Sequence, residues 1–289
     1  MIQFTKKSLL FAVTFALTAC NSIQGEPTKL KSISKNSDFS VQLIGGPTTL
    51  LKYGDLTIIT DPTFDPAGGK YDIKIAILEK TDDPAFLPKD LPEIDVVLLS
   101  HDQHADNLDN AGRALLEHSG IILTTGDAAG RTKGNVVGLD WWETYKIGDV
   151  TITAVPAQHG PAPAVPIVGP VIGFIISSET GPTVYISGDT VPFSGTDAII
   201  ERYAGKIDYA LLHTGAVVEG EGESLTYFSM QASEAVDLAA QLDAKAFSII
   251  HADSWVHFSE KMPAALDVVL SSTVASRMID LSDNKPVKF

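Results

Sequence analysis

The chain has 289 residues, 44% of them hydrophobic, enough for one large domain with a sizeable core. Its formal charge is −15 and no basic run is visible, which argues against nucleic acid as a partner, since that binding rests on Lys and Arg neutralising phosphates. A single cysteine leaves no disulfide to form.

At the N-terminus, Lys6 and Lys7 precede the apolar run from Leu9 to Leu17, and Thr18-Ala19-Cys20 closes it with small residues. This pattern predicts a secretory signal, too short to span a bilayer as a permanent helix. Leu17-Thr18-Ala19-Cys20 resembles the lipobox of bacterial lipoproteins, in which the cysteine becomes the lipidated first residue of the mature chain. The resemblance implies a signal peptide over 1–19 and a membrane anchor through Cys20. Several acyl chains hold where one does not. The protein is then expected in the cell envelope, facing the periplasm or the exterior, with no thiol left to bind metal. Residues 20–39 are polar and read as a flexible tether, and the folded domain is expected over 40–289.

The domain begins at Ser40 to Gly46. Thr48 to Tyr53 and Leu56 to Thr60 read as strands joined by a hairpin turn at Gly54-Asp55. Asp61 ends the second, either supporting a site at the strand end or serving as a turn residue. Phe64 to Leu91 is rich in Pro, Gly and Asp and reads as a long irregular excursion, a lid or edge cover. The apolar run Ile94 to Leu99 predicts a buried strand. Asp109 to Glu117 has helical spacing with Asp109 as its cap, and His118 near its end reads as a surface residue.

Further strands are expected at Ile121 to Thr124, Asp149 to Val155, Val171 to Ser177, Thr183 to Ser187, Ile207 to Leu212 and Ala246 to Ile250. Pro161 to Pro170 is dense in Pro and reads as a loop without helix. Short helices are expected over Thr196 to Tyr203, after a cap at Ser229, and from about Ser259. Gly220 to Glu223 reads as a mobile loop. Strands alternating with helices make this a mixed α/β domain.

Chemistry concentrates in Ser100-His101-Asp102-Gln103-His104-Ala105-Asp106-Asn107-Leu108-Asp109, directly after a buried strand. Imidazoles and carboxylates are costly to bury unless paired or bound to metal, and together they form a usual ligand set for Zn²⁺ and related ions. Five of the seven histidines, His101, His104, His159, His213 and His251, follow a predicted apolar strand, and so does Asp189. In layered α/β folds ligand groups gather at one edge of the strands.

His101 to Asp109, then Gln158-His159-Gly160, Ser187-Gly188-Asp189-Thr190 and Ile250-His251 resemble the successive motifs of the metallo-β-lactamase-fold hydrolases. Gly45 to Pro62 and Trp255 to Phe258 are similar to the branch holding the L-ascorbate-6-phosphate lactonase-like proteins. The resemblance implies a four-layered αβ/βα sandwich with metal along one edge. It implies that His159 completes a first site, that Asp189 bridges, and that Asp106 with His251 holds a second. The usual first motif, His-x-His-x-Asp-His, is altered here. Counting back from Asp106 sets Asp102 in the first ligand position; counting forward from the strand sets His101 there, the reading preferred because His101 directly follows Ser100. Asn107 stands where the family has its last histidine, a weaker neutral ligand.

A divalent ion lowers the pKa of bound water from about 15.7 to near 7, making hydroxide available to attack an ester, lactone or amide. Asp106 is expected to orient that water, with His213 and His257 as candidate proton donors to the leaving group. A chain exported unfolded takes up its ion outside the cytoplasm, where the affinity order favours Zn²⁺ over Mn²⁺ or Fe²⁺, one or two ions in all. Only Arg131 and Lys133 offer a cationic pair nearby, in a Gly-flanked loop, which favours an uncharged small molecule over a phosphodiester. Gly68 to Leu87 and Pro161 to Pro170 are expected to shape the pocket. Two alternatives remain: a phosphodiesterase of the same fold, and a lipid-anchored binding protein without hydrolytic activity.

Overall fold

The computed structural model describes residues 22–23, 39–73, 76–220 and 225–289. Residues 1–21, which include the stretch read as a signal and Cys20, and the tip of the Gly220 to Glu223 loop lie outside the described residues. Inside the stretch read as a tether, Ser22–Ile23 pairs in parallel with Thr144 and Tyr145. Among the described residues no helix is long and apolar enough to cross a membrane.

Two seven-stranded sheets face each other. The first runs, in spatial order, Val287–Lys288, Phe39–Gly45, Thr48–Tyr53, Leu56–Thr60, Val96–Leu98, Ile121–Thr124 and Val136–Gly138. The second runs Ser22–Ile23, Thr144–Ile147, Val150–Ala157, Val171–Ser177, Val184–Ile186, Tyr209–His213 and Ala246–Ile250. Side chains from both sheets form the central core, with Val41, Leu51, Ile58 and Leu98 of the first meeting Ile152, Phe174, Leu211 and Ile250 of the second. The helices Ser194–Tyr203, Ala232–Gln241 and Met262–Leu270 cover the outer face of the second sheet, with Ile199, Ala235, Leu238 and Val269 packed on Ile175, Leu212 and Phe247. Leu116 of Asn110–Leu116 covers the first with Ile59 and Val97. The result is a four-layered αβ/βα sandwich.

The strands that matter for function run in one direction. Leu56–Thr60, Val96–Leu98 and Ile121–Thr124 pair in parallel in the first sheet. Val184–Ile186, Tyr209–His213 and Ala246–Ile250 do so in the second. Their C-terminal ends therefore open on one edge, the place where such folds gather ligands.

Local chemistry explains most element boundaries. Gly54, at φ +60°, makes the tight turn between Thr48–Tyr53 and Leu56–Thr60. Asp109 caps Asn110–Leu116 by accepting the Gly112 amide at 2.8 Å. Three expectations need correction. Pro161 to Pro170 contains a 3-10 turn at Ala162–Ala164 and a short helix at Val165–Val168, because proline is tolerated in the first turn of a helix, where Pro163 and Pro166 stand. Ser229 caps nothing: its Oγ accepts the Val217 amide at 2.9 Å, and Ala232–Gln241 begins after Gln231, whose amide is taken by Glu234. The last helix starts at Met262, not near Ser259.

The excursion after Phe64 is also more ordered than its composition suggests. Lys70–Asp72 and Ile77–Glu79 form a small antiparallel hairpin. A buried Lys80–Asp109 ion pair at 3.0 Å ties it to the metal-loop region, and Asp65 accepts the amides of Asn110 and Ala111.

Candidate metal centre

The loop after Val96–Leu98 is held from below. Asp61, at the end of the neighbouring strand, accepts the Ser100 amide through Oδ1 at 2.7 Å. Ser100 Oγ lies 2.9 Å from His101 Nδ1. This leaves His101 Nε2 aimed at His104 Nδ1, 3.1 Å away. From the second sheet, His159 Nδ1 lies 2.5 Å from the carbonyl of Phe228. A carbonyl only accepts, so Nδ1 carries the proton and Nε2 is left with a bare lone pair. That Nε2 is 3.1 Å from the same His104 Nδ1.

Three buried nitrogens thus converge. Around an ion with nitrogens at 2.0–2.1 Å in a tetrahedron, such atoms stand roughly 3.3 Å apart, close to what is seen. Burial, with the neighbouring imidazoles His104 and His159, pushes His101 well below its ordinary pKa. Burial and the His159 charge push His104 down to about 4. Both rings are therefore neutral near pH 7, with lone pairs available to a cation.

Beside them lies a second cluster, Asp106, Asp189 and His251, whose ligand atoms all fall within 4.8 Å of one another. Asp189 Oδ1 is 3.2 Å from His251 Nδ1, yet neither atom has an aligned hydrogen-bond partner. Asp189 Oδ2 and Asp106 Oδ1 are likewise buried and unpartnered. Uncompensated buried carboxylates are expensive, and a divalent ion is the compensation this donor set fits. The electrostatics agree. Burial alone would lower His251, but Asp189 and Asp106 outweigh it and raise it to about 9. Burial would raise Asp106, but His257 and His251 outweigh it and hold its carboxyl well below the usual range. This pocket favours positive charge.

His251 also pays in backbone conformation. Its φ is +64°, a region that costs a non-glycine residue about 1–3 kcal/mol and recurs at functional sites. Gly215 stands against it: a Cβ there would lie 2.4 Å from the His251 carbonyl oxygen.

Of the two residues left open for the first ligand position, His101 reaches the cluster. Asp102 is turned away, forked onto Arg131 with contacts of 2.5 and 3.1 Å, and its carbonyl accepts from Arg113. Arg131 is thereby committed to Asp102, and Lys133 lies 3.6 Å from Glu117, so neither forms a phosphate grip at the centre. Asn107 is fully buried with both amide atoms unpartnered.

The two proton-donor candidates separate. His257 Nε2 lies 2.9 Å from Asp106 Oδ2, and His257 lines the cavity over the clusters. His213 does not. It is fully buried, with Nε2 3.4 Å from Asp61 Oδ2 and Nδ1 3.3 Å from Ser187 Oγ. A proton donor works within about 3 Å of the leaving atom, so of the two candidates His257 is the one placed at the cavity, while His213 lies behind it beside His251. Asp61, open in the sequence between turn and site, supports the loop through the Ser100 amide. One contributor escaped the sequence reading: Phe228 acts through its carbonyl, a group that leaves no signal in residue type.

The cavity over the clusters has a volume of about 80 Å³ and is lined by His104, Asp106, His159 and His257, with Leu78 and Val168 from the two segments expected to shape it. A larger cleft, about 530 Å³, opens beside His159 under Trp141. Only the smaller one is lined by residues of both clusters.

Residues 57–252 match the family described as "Beta-lactamase superfamily domain". A UPF0173 metal-dependent hydrolase of Myxococcus xanthus is 28% identical over 168 residues, covering 55% of this chain and 55% of that protein. The chain spans about half the length of the curated relatives it matches. Among solved structures, isothiocyanate hydrolase from Delia radicum gut bacteria has a TM-score of 0.74 at 20% identity, over 86% of this chain and 99% of that one. A possible metal-dependent hydrolase from Veillonella parvula has a TM-score of 0.73 at 16% identity, over 89% and 100%. At such identities the likeness is one of fold.

Proposed function

The chain belongs to the β-lactamase superfamily, and from that premise we propose that it is a metal-dependent hydrolase of an ester, lactone or amide bond in a small molecule. The observation that carries this reading is the pair of adjacent buried clusters, one of three imidazoles and one with unpartnered carboxylates. The curated relatives named metal-dependent hydrolases support it.

In this reading His101, His104 and His159 hold one ion, and Asp106, Asp189 and His251 hold a second. An ion there supplies a water acidified to near neutrality and a Lewis acid for the substrate oxygen. Asp106 keeps the attacking oxygen on the cavity side, and its contact with His257 orients that imidazole. His257 then delivers a proton to the leaving group. Asn107 contributes at most a neutral amide oxygen, so the second ion is held more weakly than the first. Zinc is the ion we infer, because four imidazoles with two carboxylates and no thiolate suit it above Mn²⁺ and Fe²⁺ in affinity.

A panel of chromogenic esters, lactones and bis-aryl phosphates, run with and without added Zn²⁺, tests the activity. Turnover of esters or lactones that a chelator removes is expected. In the same assay His257→Ala should lower kcat by roughly 10²–10⁴. Silence across the panel by protein that binds metal would instead support a binding role, the reading that Asn107 favours. Metal analysis of protein purified from the envelope should find mostly zinc; a preponderance of manganese or iron would reject that ion.

Export and a lipid anchor at Cys20 belong to the same proposal, supported by Lys6, Lys7 and the apolar run before Cys20. Metabolic labelling with palmitate should mark the wild type and not Cys20→Ser. Equal labelling of the two would discard the anchor.

A further inference from the structure

The cavity over the clusters is small and, away from the ligands, almost wholly apolar. Three separate segments each bring an aliphatic or aromatic residue to it: Leu78 from the Lys70–Glu79 hairpin, Val168 from the short helix, and Val217 and Phe228, which flank the paired strands Val218–Glu219 and Thr226–Tyr227. Glu219, exposed, is the one charged lining residue outside the clusters and His257 among the described residues. The walls are fixed rather than loose. Leu78 packs with Trp255 and Phe258 in a buried cluster. The Phe228 ring sits against Gly160, where a Cβ would lie 2.5 Å from it, and its carbonyl holds His159.

Resting on the hydrolase reading, we propose that this cavity selects the substrate by a short, uncharged, apolar acyl group seated among Leu78, Val168, Val217 and Phe228, with Glu219 at the mouth repelling anionic tails. The size follows from the volume. About 80 Å³ holds on the order of half a dozen waters at 10–15 Å³ each, hence an acyl group of roughly four to six non-hydrogen atoms. The charge follows from the lining. A carboxylate or phosphate on the tail, away from the clusters, meets Glu219 at the mouth, and no Lys or Arg is among the described lining residues to pair with it. Burying an unpaired charge among apolar walls is costly, whereas each added methylene is rewarded until the space is full.

The test compares p-nitrophenyl acetate, butyrate, decanoate and monosuccinate on the zinc-loaded protein. A parallel calorimetric series measures binding of acetohydroxamate, butyrohydroxamate and succinic monohydroxamate, which needs no turnover. Butyrate should exceed acetate and decanoate in kcat/KM by about tenfold, and monosuccinate should fall at least about tenfold below butyrate. The hydroxamates should bind in the same order. Val217→Phe, at a partly exposed position, should move the optimum to acetate. Glu219→Gln should narrow the butyrate-to-succinate ratio.

Indifference to chain length in both series, a preference for succinate, or no binding by any hydroxamate overturns the assignment. Ordered hydroxamate binding without hydrolysis of any ester would leave the pocket standing and remove the hydrolase. Hydrolysis without chain-length order would do the reverse.

Discussion

Asp189→Ala should abolish metal-dependent turnover, by more than about a thousandfold, or roughly 4 kcal/mol of transition-state stabilisation, while the domain remains folded. The separation of the two effects comes from where the side chain is spent. Asp189 is fully buried, and neither carboxylate oxygen has a hydrogen-bond partner in the protein. Its loss therefore cuts no link between elements of the fold. What it does remove is one of the three donors of the second cluster and the carboxylate 3.2 Å from His251. Metal content, circular dichroism and rate measured on one preparation settle the matter. The folded variant should hold less metal and should lose the rise in stability that ligand binding confers, about 2.7 kcal/mol for a ligand at a hundred times its Kd. A variant with wild-type metal content and wild-type rate would remove Asp189 from the site.

The largest effect on stability is expected at Lys80→Met. Lys80 is 2% exposed and Asp109 fully buried, and their contact of 3.0 Å spans from the excursion to the start of the helix after the metal loop. Removing one member of a buried pair leaves an uncompensated charge and costs about 3–5 kcal/mol. Asp109 keeps two other donors, the amides of Asp65 at 2.6 Å and Gly112 at 2.8 Å, which places the loss toward the lower end. For a domain of this size the melting temperature should fall by roughly 10 °C. Asp109→Asn removes the charge but keeps a good helix cap, so adding it to Lys80→Met should restore part of the loss. Melting curves of the two single variants and the double variant give the coupling. Strict additivity would show that the pair is not what holds the hairpin. Leu78, two residues before Lys80, walls the cavity, so Lys80→Met should also weaken selection for the short acyl group.

The architecture was legible because its cause is local. Runs such as Ile121 to Thr124 and Ala246 to Ile250 can only be buried, and between them lie helices with one apolar face. The same holds for the Asp109 cap, a contact between residues three apart. Misreadings arose where a distant partner outcompeted a local preference. Ser229 is a good cap by type, yet the Val217 amide claims its hydroxyl. Pro161 to Pro170 looked hostile to helix, yet its prolines fall in first turns, where the missing amide is not needed.

By itself the order of residues determined which donors this protein owns, four imidazoles and two carboxylates among them, and that they lie in the loops after strands, because strand ends are written in short-range hydrophobic pattern. It did not determine which donors meet. His101 and Asp102 are neighbours on one loop competing for one position, with His101 favoured only by following Ser100, and it is Arg131, 29 residues beyond Asp102, whose guanidinium holds Asp102 away from the cluster. Convergence of that kind is a matter of where charges come to rest once the two sheets are packed together, and only the tertiary structure contains it.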